Sequence, residues 1–219
     1  MTTQTSSRAA LGSVGTLVDG QIRRLQQGHL ADRSDAVATL ARLRRGAGRA
    51  PMAVPDLWAL IDLTELSADP QFSGEAAQTR AQNATYAALT LWALHQQSRQ
   101  RPMHRRDGLG LGGAVRRLMP GNEIDDPVRK RFVRVGAAPT WDALAVRLRE
   151  VVTLLRREEI SLDYALLADQ LHTWQYPHRR AAVRDAWGRS FHAYRPQTST
   201  PTDGADNSAV DETDPKDTP

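Results

Sequence analysis

Catalysis and metal binding rest on a few side-chain arrangements, and this sequence is poor in them. Its 219 residues include no cysteine, which removes thiol nucleophiles, thiolate ligands and disulfides and fits a reducing compartment. The six histidines, His29, His95, His104, His172, His178 and His192, form no HExxH and no His/acid pair at helical metal spacing. Most are expected at the surface or in interfaces. No Gly-x-Ser-x-Gly elbow occurs. Asp125–Asp126 and Glu158–Glu159 are sequence neighbours; on a helix such pairs diverge by about 100° and suit helix ends better than a shared proton. Gly108, Gly110 and Gly113 spell G-x-G-x-x-G, but Arg105, Arg106 and Asp107 stand before them in place of a strand, and no Lys-Ser/Thr follows. That context argues against a dinucleotide site or P-loop. It leaves a flexible linker, or a helix opening whose N–H groups hold a phosphate beside Arg116 and Arg117. No enzyme activity, cofactor or metal is expected.

Arginine is the abundant chemistry. Of 29 basic residues 27 are Arg, with Lys130 and Lys216 the exceptions. Residues 197–219 hold six acids and one base, whereas residues 1–196 hold 28 bases and 19 acids, a net of +9. The clusters are Arg23–Arg24, Arg42–Arg44–Arg45–Arg49, Arg99–Arg101–Arg105–Arg106, Arg116–Arg117, Arg129–Lys130–Arg131–Arg134 and Arg156–Arg157. Guanidinium groups bind phosphate through forked, charge-assisted hydrogen bonds. One such pair is usually a solvated helix face; six groups in a basic body read as an electrostatic footprint for nucleic acid. Phe132 is the one aromatic inside a cluster, which favours phosphate contact over base reading.

The elements that must carry these residues have helical spacing almost throughout, and the fold class expected is all-α: two small helical bundles packed together. Helices are expected over Val14–Gln27 with Gly28 as C-cap, from Ser34 as N-cap to Gly46, from Pro55 through Leu66, and over Glu75–Gln97 with a small-residue stripe at Ala77, Ala81, Ala84 and Ala88. Shorter ones are expected over Ala114–Met119 and Pro127–Val135. Thr140 should cap a helix that buries Leu144, Leu148, Val151 and Leu155, and Asp163 one with Tyr164, Leu167, Leu171 and Trp174. Pro177 should open the last, with Val183, Trp187, Phe191 and Tyr194 inward. The domains expected are a flexible N-terminus (1–12), an N-terminal helical part (13–97), a basic Gly-rich linker (98–113), a C-terminal bundle (114–195) and a disordered acidic tail (196–219). No apolar run is long enough to span a membrane. Met1 to Ala10 lack the apolar core of a signal peptide, so a cytoplasmic address is expected.

The segment ARLRRGAGR at 41–49 resembles a feature near the start of the CasB family, the small subunits of the type I-E CRISPR surveillance complex called Cascade. The order continues with GLGLGGAVRRLM at 108–119, VRKRFVRV at 128–135, DALAVRLREVVTLLR at 142–156 and SLDYALLADQLHTW at 161–174. The resemblance covers residues 34–194. It implies a non-enzymatic helical protein, present as two copies along the belly of the complex. There it would touch the backbone-subunit filament, the large subunit and the guide RNA, and hold target and displaced DNA strands in the R-loop. Arg44–Arg45 match the family's basic pair after the early helix, and Arg131–Phe132 its later Arg-Phe. Arg116 and Lys130 carry over less closely. Arg42, Arg49, Arg105, Arg106, Arg117, Arg129 and Arg134 join the candidate nucleic-acid-binding set on charge clustering alone.

Two other classes fit the composition: a helix-turn-helix regulator, with 161–195 as its helix pair, and a structural subunit whose arginines meet acidic proteins. The tail's polar, acidic make-up gives it nothing to bury. Deleting 197–219 is therefore expected to leave the melting temperature unchanged; a clear drop in a thermal melt would show that the tail packs.

Overall fold

The computed structural model describes residues 10–121 and 123–194, and these fold as α-helices joined by 3-10 turns and loops. The helices are α1 (Ser13–Leu30), α2 (Ser34–Leu43), α3 (Thr64–Ala68), α4 (Glu75–Gln96), α5 (Leu111–Arg117), α6 (Asp126–Gly136), α7 (Trp141–Arg157), α8 (Tyr164–Trp174) and α9 (Arg180–Ala193). Residues 1–9 and 195–219, and with them most of the expected N-terminus and the acidic tail, lie outside the described residues.

The core is organised around α4, about 33 Å long at the usual helical rise. Every residue from Ala84 to Ala93 is buried, the signature of a helix enclosed on all sides. Ala81, Ala84 and Ala88 keep its surface low, so that α1, α2, α7 and α8 can pack against it. Because α1 also packs on α8, the two helical parts expected on either side of 98–113 share one hydrophobic cluster running from Val14 to Phe191.

The segment between those parts is held at nearly every step. The Gln96 side chain donates to the carbonyls of Arg99 (2.9 Å) and Arg101 (3.0 Å) and accepts from the N–H of Met103 (2.9 Å). Gln26 of α1 accepts from His104 N–H (3.0 Å) and donates to its carbonyl (3.2 Å). Leu162 N–H donates to the Met103 carbonyl, and Asp163 N–H to that of Leu109. The Asp163 carboxylate accepts from Leu166 N–H, capping α8, and from Asp107 N–H. His104 is buried with Asp19, its Nε2 2.9 Å from the carboxylate, while its Nδ1 accepts from Tyr164 N–H at 3.1 Å. An Nδ1 that accepts leaves the proton on Nε2, where it meets Asp19. This histidine–acid pair uses both ring nitrogens to fix the chain.

Thr140 and Asp163 cap α7 and α8 through side-chain oxygens, as expected, and Asp125, read only as one of a pair of acids suited to helix ends, caps α6. Other boundaries differ from expectation. Gly28 lies inside α1, where a Cβ would come 2.7 Å from that of Ala36; it serves close packing of α1 on α2 instead of a cap. Arg33, not Ser34, holds the N-cap of α2. The expected Pro55–Leu66 helix is a 3-10 turn (Pro55–Leu60) followed by α3. α5 opens at Leu111, three residues before the expected start, and Gly112 is covered: a Cβ there would collide with the Trp187 carbonyl of α9. Gly112 therefore makes a close contact with α9, whereas Gly108 lies against the Arg105 backbone of its own turn. Tyr194 is half-buried, unlike the buried Val183, Trp187 and Phe191.

Most histidines are expected at the surface or in interfaces, but His95 and His104 are in the core. His95 Nδ1 lies 3.0 Å from the Tyr164 hydroxyl. Burial first, then the charges of Arg156 and Arg99, push its pKa from 6.5 down to about 3. Between those values the unfolded chain binds the proton and the folded chain refuses it. The contribution of this group is therefore complete above pH 6.5 and is lost as pH falls toward 3, by at most about 1.4 kcal/mol per pH unit. Urea unfolding across that range is expected to show this slope in the parent and to show a shallower one in His95→Phe; equal slopes would refute it.

Candidate nucleic-acid interface

The surface that gathers free positive charge is built on α7. Leu144, Leu148, Val151 and Leu155 recur at three- and four-residue spacing and face the core with Val152. The opposite face therefore carries Val146, Arg149, Glu150, Thr153, Leu154 and Arg157. With Arg131 of α6 these line an open groove of about 430 Å³ between the two helices. Phe132, next to Arg131, turns inward and stacks on Phe191 of α9 at 5.3 Å, which anchors α6 and leaves Arg131 exposed.

The turn after α2 reaches the same helix from the other side. Gly48 has a φ of +74°, which glycine adopts without strain, and a Cβ there would meet the Arg149 side chain at 2.9 Å. The turn thus lies on α7 and brings Arg49 with it. Arg44, exposed, is close enough to Arg156 to lower its pKa, after burial and alongside Arg99. Arg156 itself donates to the Gln97 carbonyl at 3.0 Å. Among the described residues no carboxylate lies within ion-pairing distance of Arg44, Arg49, Arg131, Arg149 or Arg157.

The remaining expected site residues divide by their partners. Arg45 reaches Asp56 at 3.7 Å, both well exposed, and Arg42 donates to the Asp56 carbonyl. Arg129 and Lys130 share Asp126 in the first turn of their own helix, and Arg134 approaches Glu150 at 4.0 Å. Arg106 belongs to the other face, beside α1, where it and Arg23 meet the buried Asp19; Arg105, next to it in the chain, is exposed. Arg117 is exposed at the end of α5. Arg116 is a correction: it is 7% exposed and donates to the Gly121 carbonyl at 3.1 Å, so it braces the loop after α5 instead of standing on an open surface.

Charge clustering missed Arg149, which has only Arg147 near it in the sequence, and undervalued Arg157. The signal lay in the periodicity of α7: Arg149, Thr153 and Arg157 repeat every four residues on the face opposite the leucine stripe.

Fold and surface together define an all-α protein with an arginine-faced groove, and among the described residues no group of His, Asp and Glu could hold a metal ion and no helix could cross a membrane. The chain belongs to the CRISPR-associated Cse2 family, whose description its residues 39–192 match. It is similar to CasB from Thermobifida fusca, whose crystal structure it matches at 55% identity and a TM-score of 0.76, over 84% of this chain and all of that one. It also shares its fold with a chain of a CRISPR RNA-guided surveillance complex, at 18% identity and a TM-score of 0.58, over 82% of this chain and 95% of that one. No curated protein matches it.

The different surroundings of two adjacent arginines can be checked directly. Arg116→Ala removes a buried hydrogen bond and is expected to cost roughly 1–3 kcal/mol, whereas exposed Arg117→Ala should stay within about 0.5 kcal/mol of the parent. Chemical denaturation of both variants measures the contrast; equal stabilities would count against the buried role.

Proposed function

We propose that this chain is a non-catalytic subunit of a type I-E CRISPR Cascade complex, where its arginine surface grips nucleic-acid backbone and stabilises the R-loop formed by guide RNA and target DNA. Membership of the Cse2 family supports the place in the complex. The observation that carries the binding role is the convergence of Arg131, Arg149 and Arg157 with Arg44 and Arg49 around α7, none of them neutralised by a carboxylate among the described residues. R-loop formation exchanges one duplex for another of similar stability, so modest backbone contacts can tip it. Contacts of this kind ignore sequence and weaken with salt, because each neutralised phosphate releases counterions. Partners of the surface are the target or displaced DNA strand and the guide RNA. Partners of the rest are the backbone filament, the large subunit and a second copy of the chain, in the cytoplasm.

A helix-turn-helix reading is poorly served. Its second helix would be α9, which turns Val183, Trp187 and Phe191 into the core and is covered along another side by α5.

The test compares two sets of changes in the reconstituted complex: Arg44→Ala with Arg45→Ala and Arg131→Ala, and Arg149→Ala with Arg157→Ala. Each is expected to shorten R-loop lifetime several-fold while circular dichroism and melting stay near parent values. The slope of log affinity against log salt should fall by about one for each phosphate no longer neutralised. Lifetimes equal to the parent's at every salt concentration in both sets would remove these arginines from the interface.

A further inference from the structure

A second group of basic side chains gathers away from α7, around Tyr176 in the loop between α8 and α9. Arg80, on the N-terminal part of α4, holds its guanidinium carbon 4.5 Å from the centre of the Tyr176 ring. Arg179, from the 3-10 turn Pro177–Arg179, holds its own at 5.5 Å from the same centre. His172 of α8 meets Tyr176 edge-on at 5.6 Å, and His178 stands 6.0 Å from it. Phe72 packs against the other side of His172.

The backbone under this group is fixed. Gln175 donates to the Arg80 carbonyl at 2.7 Å and accepts from Asn83, which ties the end of α8 to α4. The charges have no local answer. Among the described residues no carboxylate pairs with Arg80, Arg179, His172 or His178. Two shielded nitrogens, Arg80 Nε and His172 Nε2, lack a hydrogen-bond partner. Burial, with Arg80 and Arg179 adding to it, lowers the pKa of His172.

Stacking on tyrosine accounts for the position of one arginine. It does not account for a second guanidinium at the same ring with no acid, since like charges repel, nor for the unpartnered nitrogens of Arg80 and His172, since buried donors are normally satisfied. From these contacts we propose that the Arg80–Tyr176–Arg179 cluster is a phosphate-binding site. Two forked guanidiniums match the oxygens of a phosphate group, and the imidazoles can each add a donor. The guanidiniums already lie over the tyrosine ring, so the ligand is the phosphate and not a stacked base. The site shares no residue with the α7 groove, although the start of α7 lies near it through Trp141 and Trp174. It does not depend on the function proposed above.

The ligand phosphate can belong to a nucleic-acid backbone or to a free phosphate, and the experiment separates these. The full chain, labelled in its histidine rings, is titrated with inorganic phosphate in one arm and with single-stranded DNA lacking a terminal phosphate in the other. Sodium chloride at matched ionic strength is the reference. Phosphate is expected to shift the His172 and His178 ring signals and to raise the pKa of His172, because an anion offsets the two arginines. Arg179→Gln, an exposed change that leaves the core alone, should weaken this about tenfold. Arg149→Gln with Arg157→Gln should leave it unchanged. If DNA produces the same shifts in that second variant, the site takes backbone phosphate; if only inorganic phosphate does, it takes a free phosphate. Ring signals that move no more with either probe than with chloride overturn the proposal, as does Arg179→Gln titrating like the parent.

Discussion

A loop that dips into the core between helices has no ladder to satisfy its backbone there, and the Ser98–Gly110 segment, buried at Met103 and His104, meets that constraint with side chains. Gln96 and Gln26 answer five of its polar groups, and the 103–109 stretch hydrogen-bonds to Leu162 and Asp163. Met103 can then be buried without orphaned amides. The same bonds set where α5 begins and where α8 is capped, because Asp163 serves both the loop and the helix. His104 completes the lock by placing its ring between Asp19 of α1 and the first amide of α8. The two halves of the chain are consequently referred to one another through hydrogen bonds as well as through the shared core.

Rigid placement matters for the arginines, since long flexible cations gain little from mere proximity. α7 is seated on α4 by its aliphatic stripe, so its rotation is decided by packing and its polar face has one direction to point. α6 and the Gly46–Arg49 turn then fill the two flanks. Arg131 stands on the exposed face of α6, and Arg49 in a tight turn whose backbone geometry leaves side chains exposed. The apolar Val146 and Leu154 in the groove wall lower the local dielectric and strengthen any ion contact made there.

The helices of the C-terminal half could be read from sequence closely, since their caps are short polar residues placed before clear periodic runs. Thr140 and Asp163 follow that rule. The N-terminal half was harder. Gly28 has the form of a helix stop, yet it sits at a close approach between α1 and α2 that no local pattern reveals. Nothing local marks His95 and His104 as core histidines; their burial depends on Tyr164 and Asp19, each more than 60 residues away. The candidate surface was legible in part. Arg44, Arg49 and Arg131 came from clusters, but Arg116 lies in an equally good cluster and is buried, since the enclosed helix α5 turns it inward and leaves only Arg117 at its end exposed.

Counting charge overstates the available surface, and the surroundings of each arginine say by how much. An exposed ion pair such as Arg45–Asp56 is worth little in water and is readily exchanged for another anion. Arg45 therefore remains available beside Arg44, although it is paired when no polyanion is near. Arg106 differs. Its partner Asp19 is a buried carboxylate, 4% exposed, that also answers Arg23 and His104. Drawing Arg106 away toward a phosphate would leave a buried negative charge less well compensated, and that loss is far larger than for a surface pair. Two arginines with equal claims in the sequence are thus separated by the depth of the acid each one faces. That depth, more than the number of cations, decides which side of this fold is free to meet a polyanion.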